Sequence, residues 1–295
     1  MLQRSFAVAV VGAALCFVLA ESASAMSTRA HGSAVTRDGY FGFVLDAGAY
    51  DDFDLTGLDS SGGASVIGTS FAEVSRGQIS SFAAIGVLGA LATAASFSGR
   101  DIFGAITDAQ ANAAWGDVLT VTLPAGGSGV VTAALGITGS VAAVAPDATS
   151  SYARAIADWD FSFCIEANCI QRIGGQESEI LGVPESLGSP PGVFFVTIPF
   201  ESGHPIAIGG TLIVTAHATA LGNNGFADAG ARFSNGVSWL GFQTVVDSLG
   251  QPIPEYLAIA ESGVDYTQAV PEPSTPAALA LALAALAARR ATRSA

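Results

Sequence analysis

The chain of 295 residues contains no lysine, and all 11 of its basic residues are arginine. Against 25 aspartates and glutamates they leave a formal net charge of −14, so the surface repels nucleic acid and anionic lipid and favours solubility. No nucleic-acid partner is expected. Histidine is scarce, and His31, His204 and His217 stand in no metal-ligand spacing and beside no serine-hydrolase elbow. Glycine-rich Gly126–Gly129 is followed by neither a lysine nor a helical pattern that could hold phosphate. These absences point away from an enzyme, a metal site and a cofactor, and none of the three is expected.

Cysteine is equally sparse. Cys16 lies inside an apolar run, and only Cys164 and Cys169 remain, in Cys164-Ile165-Glu166-Ala167-Asn168-Cys169. Metal binding would need further ligands nearby. In an oxidising exterior, an even pair so close in sequence reads as a disulfide closing a hairpin tip.

The first 25 residues have the three parts of a secretory signal peptide. Arg4 supplies the positive start, Phe6 to Ala20 the apolar run, and Ala23-Ser24-Ala25 the small-x-small site for signal peptidase. Cleavage there leaves Met26 as the new amino terminus. At the other end, Val270-Pro271-Glu272-Pro273-Ser274-Thr275-Pro276 is rigid and cannot be helix interior. Ala277 to Ala288 is built only of alanine and leucine, both strong helix formers, and Arg289, Arg290 and Arg293 follow.

A rigid polar motif, an apolar helix and an arginine cluster, in that order, resemble the PEP-CTERM sorting domain. The resemblance covers residues 270 to 293. It implies recognition by exosortase, a membrane-embedded cysteine transpeptidase-like protease, in a Gram-negative bacterium. It also implies transient anchoring in the inner membrane, then delivery to the cell surface or an exopolysaccharide or biofilm matrix. Arginines at a helix end stay on the cytoplasmic side, so the body between Arg4 and the tail lies outside. Twelve residues of helix span only ~18 Å against a hydrocarbon core of ~30 Å, which makes the anchor a weak one. Removal of both targeting segments leaves 7 arginines against 24 acids, a net charge of −17.

The body, residues 26 to 268, reads as a single all-β domain: short runs of Val, Ile, Thr, Ser and Phe punctuated by turn residues favour an antiparallel, jelly-roll-like β-sandwich. Residues 26 to 38 read as a loose leader and Tyr40 to Leu45 as the first strand. Asp46, Asp51, Asp52, Asp54 and Asp59 then crowd an acidic loop whose spacing is not that of an EF-hand. Gln78 to Phe97 reads as a strand pair with Gly86 and Gly89 as bends, although Ala83 to Ala95 also fits a helix. Asp108 to Trp115 reads as a helical turn, Asp117 to Leu123 as a strand, and Val130 to Val144 as its partner. Tyr152 to Ile165 alternates well, Gly174 to Gly192 reads as a loop, and Asn223-Asn224-Gly225 as a turn. Val196–Phe200, Ala229–Asn235, Asp247–Pro252 and Glu261–Tyr266 are similar to the β-rich region that often precedes the sorting motif in PEP-CTERM proteins. A glycan-binding module is the alternative function, with Trp115, Trp159, Trp239, Tyr50, Tyr152 and Tyr256 as stacking candidates. Alternation places Trp159 and Trp239 in the core and leaves Trp115, beside Gly116, as the expected exposed ring.

Overall fold

The computed structural model describes residues 27–38, 44–54, 59–70, 73–146, 151–165, 168–180, 183–188 and 192–270. The expected signal helix and membrane helix lie outside these residues. The described residues are all-β and antiparallel, with thirteen strands joined in one continuous sheet.

Two long strands form its spine. β5 (Val87–Thr122) and β12 (Pro205–Asp247) run antiparallel from Pro205 opposite Thr120 to Ser238 opposite Val87. The register breaks between Leu221 and Gly225, facing Gly99 and Gly104, and Asn224 there takes a left-handed φ of 59°. Asn223-Asn224-Gly225 is therefore a bend within one strand rather than a reversal of the chain. Beyond the bend the pair folds back on itself, which makes two layers from one sheet. Ser96 and Thr107, both on β5, meet across the layers with hydroxyls 3.0 Å apart, and Ser96 also donates to the carbonyl of Ala218.

In the first layer β5 is flanked by β1 (Ser27–Asp38) and β2 (Val44–Asp54). On the other side, β12 is flanked by β8 (Ser151–Ile165), β9 (Asn168–Ile180) and β10 (Val183–Gly188). In the second layer β3 (Asp59–Ser70) and β4 (Glu73–Ala84) flank β5, and β7 (Ser140–Val144) flanks β12. β6 (Ser128–Ile137) pairs with the last part of β12 and with β11 (Gly192–Glu201). β13 (Leu257–Ala260) pairs with the end of β5. Hydroxyl contacts tie the layers together again at Thr28 with Ser60 and at Tyr50 with Ser81.

The interior is lined by alanine to an unusual degree. Ala109, Ala111 and Ala113 of β5, Ala153, Ala155 and Ala157 of β8, and Ala227, Ala229 and Ala231 of β12 are all buried. These small side chains lie on alternate residues, as a strand with one covered face requires. Large side chains fill one end, where Trp159 meets Phe233 at 6.0 Å and Phe161 meets Trp239 at 5.7 Å between ring centroids.

Several sequence expectations change accordingly. The loose leader is β1, with Ala30 and Ala34 fully buried between neighbouring strands. Asp46, Asp51, Asp52 and Asp54 lie along β2 rather than in a loop, and Asp59 opens β3. The helical turn at Asp108 to Trp115 is the middle of β5, whereas the strand pair expected over Gln78 to Phe97 is present as the β4–β5 hairpin turning at Gly86, not the alternative helix. Val130 to Val144 forms β6 and β7 and pairs with β11 and β12, not with Asp117 to Leu123. Residues 174–180 and 183–188 extend the sheet within β9 and β10, with Pro184 on the outermost strand, where a missing N–H is tolerated.

Cys164 is disulfide-bonded, and Cys169 stands opposite it in the β8–β9 register. A loop this short restricts the unfolded chain only modestly. Cys164→Ser with Cys169→Ser is expected to lower stability by about 2 kcal/mol, measured by urea unfolding of the oxidised protein and the variant.

Candidate functional site at the carboxyl-terminal junction

Inward-facing positions on β5 alternate as Trp115, Asp117, Leu119 and Val121, so strand geometry directs the Asp117 carboxylate into the core. It is 2 % exposed. A buried carboxylate without a counterion is costly unless donors surround it. Four do. Oδ1 accepts the amide N–H of Val118 at 2.8 Å and that of Ser262 at 3.2 Å. Oδ2 accepts the Tyr266 hydroxyl at 2.8 Å and the Ser262 hydroxyl.

The last described segment delivers these donors by simple register. β13 sets Ala260 opposite Leu119, and the Glu261 amide then donates to the Val118 carbonyl. Ser262 therefore falls over Asp117. A turn at Gly263 follows, and Tyr266 enters the core with no exposed surface. Its ring packs edge-on against Trp239 at 5.0 Å and stacks on Trp115 at 6.3 Å, while its carbonyl accepts the Trp239 indole N–H at 2.9 Å.

Trp239 then carries the chain to its last described residue. Its amide donates to the Gly86 carbonyl, and its carbonyl accepts the Val270 amide at 3.0 Å. Two glycines leave room for this path. A Cβ on Gly86 would sit 2.9 Å from Val270 Cγ2, and one on Gly241 would sit 2.8 Å from the Gln268 carbonyl carbon. Both have positive φ, 78° and 92°, which L side chains adopt only under strain.

Burial, the neighbouring Asp117 charge and the hydrogen bond to it together raise the Tyr266 pKa well above its ordinary value. A raised phenol pKa stabilises the fold fully at neutral pH. The contribution falls as pH rises past about 10, where unfolded tyrosine loses a proton that the folded residue retains.

A second polar cluster lies on the outer face of the first layer. His217 Nδ1 is 2.6 Å from Asp108 Oδ1, its Nε2 is 2.8 Å from the Thr219 hydroxyl, and Arg37 donates to Asp108 Oδ2 at 3.1 Å. The order hydroxyl, imidazole, carboxylate is that of a hydrolase triad. The hydroxyl belongs to a β-branched residue within β12, which is paired on both sides, with β5 and with β8. The hydrogen bond from His217 lowers the Asp108 pKa, with the charges of His217 and Arg37 adding to it. This contribution to stability is present at neutral pH and fades as pH falls through the carboxylate range.

The expected exposed tryptophan is a correction. Trp115 is 1 % exposed, because it faces inward and packs on Phe161 and Tyr266 across the gap left by Gly210. Trp159 and Trp239 are buried too, so that of the six stacking candidates Tyr152, against His217, is the exposed one. Asp51 pairs with Arg29, while Asp46 and Asp52 accept the amides of Ile67 and Ser61. Among the described residues no group of His, Cys, Asp and Glu is placed to hold a metal ion. Of the sorting residues, Val270 is described, whereas Pro271, Glu272, Pro273, Ser274 and Arg289, Arg290 and Arg293 lie outside, as do Ala23, Ala25 and Met26. Sequence reasoning missed Asp117, Ser262 and Tyr266 as a cluster, since nothing local marks residues so far apart in the chain as partners.

A family model described as the PEP-CTERM protein-sorting motif matches residues 269–291, so its first two residues are the last two of the folded body. The chain is a PEP-CTERM domain-containing protein. The PEP-CTERM motif implies exosortase as the processing enzyme, with a membrane-anchored precursor exported to the cell surface. No curated protein and no solved structure matches the chain.

Asp117→Ala leaves the Tyr266 and Ser262 donors without an acceptor and is expected to cost about 2–4 kcal/mol in urea unfolding. Tyr266→Phe is expected to cost about 1–2 kcal/mol at neutral pH and to flatten the loss of stability above about pH 10, read from unfolding across a pH series.

Proposed function

We propose that this protein is a non-catalytic surface protein, exported through a cleaved signal peptide and processed by exosortase at its PEP-CTERM tail. It is delivered to the cell surface or an exopolysaccharide or biofilm matrix. The body, a jelly-roll-like sandwich made by rolling one long strand pair, is the cargo. The observation that carries the reading is the direct join between the motif and the folded body at Val270.

The layout of the ends supports it. β1 begins at Ser27, immediately after the expected new terminus Met26, and Thr28 is already buried. Ser27 pairs with Gly116 and Ala260 with Leu119, on the same edge of β5. Three residues of strand separate them, ~10 Å. The first and last strands of the body, β1 and β13, therefore meet β5 close to one another. The anchor is the apolar stretch from Ala277 to Ala288, retained by Arg289, Arg290 and Arg293.

Glycan binding is the second reading, and the exposed Tyr152 ring beside His217, Asp108 and Thr219 favours it. Its stacking platform is that tyrosine rather than Trp115. A glycan array of the mature domain distinguishes the two: binding lost in Tyr152→Ala supports the module, and no binding supports a structural role.

For sorting, Glu272→Ala is expected to leave a longer, membrane-associated precursor, seen by immunoblot of membrane and cell-free fractions. Normal removal of the tail from this variant would make exosortase recognition the wrong account.

A further inference from the structure

The junction between body and tail is a closed structure, and a processing protease has to contend with it. A protease takes its substrate as an open, extended strand, with free amides, free carbonyls and accessible side chains. In residues 261–270 the side chains of Glu261, Asp265, Gln268 and Ala269 are exposed, but few backbone amides are free. The amides of Glu261, Ser262, Gly263, Gln268 and Val270 are engaged by the body or by one another, as is the Tyr266 carbonyl. Tyr266 is wholly buried, and opening the segment strips three of the four donors from the buried Asp117 carboxylate. The next residue in sequence is Pro271. Only residues 271–276 separate the clamped chain from the Ala/Leu run at Ala277. Fully extended, six residues reach at most ~20 Å.

We propose that the clamp formed by Asp117, Ser262, Tyr266 and Trp239 acts as a ruler for processing. It shields residues 261–270, confines the cut to the carboxyl side of Val270, and stays with the mature protein as part of its core. The proposal rests on exosortase processing of the tail, but the shielding itself is a property of the body and can be tested without that enzyme. Breaking one peptide bond in 271–276, with water taking up the acyl group to give a new carboxylate, releases the apolar tail with a free amino end and leaves the clamp intact.

Two experiments test it. In the first, the purified full chain is digested with a broad-specificity protease and the products are weighed by mass spectrometry. A stable product ending at Val270 or beyond is expected. In Ser262→Ala with Tyr266→Phe, kept folded as judged by circular dichroism, new ends inside 261–270 are expected to exceed those of the wild type at least tenfold. A wild-type product trimmed to before Glu261, or an unchanged pattern in the folded variant, overturns the clamp. In the second, the protein secreted by its native cells is weighed. A single carboxyl terminus between Val270 and Pro276 supports the ruler, and one upstream of Val270 overturns it. Tail removal that persists in Glu272→Ala overturns the exosortase reading alone, because the protease digestion does not depend on it.

Discussion

A single carboxylate inside an apolar core organises the carboxyl-terminal end of this protein. Asp117 is committed to the interior by the alternation of β5, and among the described residues its partners there are uncharged donors. The cost of burying it is offset by four hydrogen bonds, three of them supplied by residues some 145 positions later in the chain. The arrangement makes the last folded segment obligatory. Without Ser262 and Tyr266 the charge would face an apolar surround with one donor left. The body therefore completes itself only when the chain has been read almost to its sorting motif.

The same economy of space governs the rest of the fold. Alanine faces on β5, β8 and β12 allow two layers of one sheet to close on each other, with hydroxyl pairs such as Ser96 and Thr107 bridging where side chains are short. The bulky residues are gathered at one end. Trp115, Phe161, Trp239 and Tyr266 form the aromatic cluster there. Through the Tyr266 hydroxyl the cluster also reaches the Asp117 carboxylate. Glycine at 86 and 241 lets the final segment pass close enough to join it.

Legibility followed the size of the side chains. β8 and β11 alternate large apolar residues with polar ones, and both were readable in outline. β1 alternates Ala30, Gly32, Ala34 and Thr36 with arginine, histidine and serine, so its covered face carries almost no hydrophobic signal. Asp108 to Trp115 was read as a helical turn, and Ala83 to Ala95 left room for a helix beside the strand pair, because alanine is intrinsically a helix former; tertiary pairing overrode that preference. The disposition of Trp115 was also out of reach. Its neighbour Gly116 suggested exposure, while the actual cover comes from Tyr266, which no local pattern associates with it.

What the sequence by itself determined is the address at the carboxyl end, the sorting motif matched at residues 269–291; the proposed signal peptide with its Ala23–Ala25 site is a reading of the same kind. Such signals are read by enzymes as linear peptide, so residue order is the whole of their information. Only the tertiary structure decided which face of each strand is covered, that Asn223-Asn224-Gly225 bends a strand instead of ending it, and that Asp117 is closed over by Ser262 and Tyr266. Alternation announces two faces but not their neighbours. Those are chosen by register and by the return of the chain from far away, and that choice holds Val270, where the sorting motif begins, against Trp239 of the body.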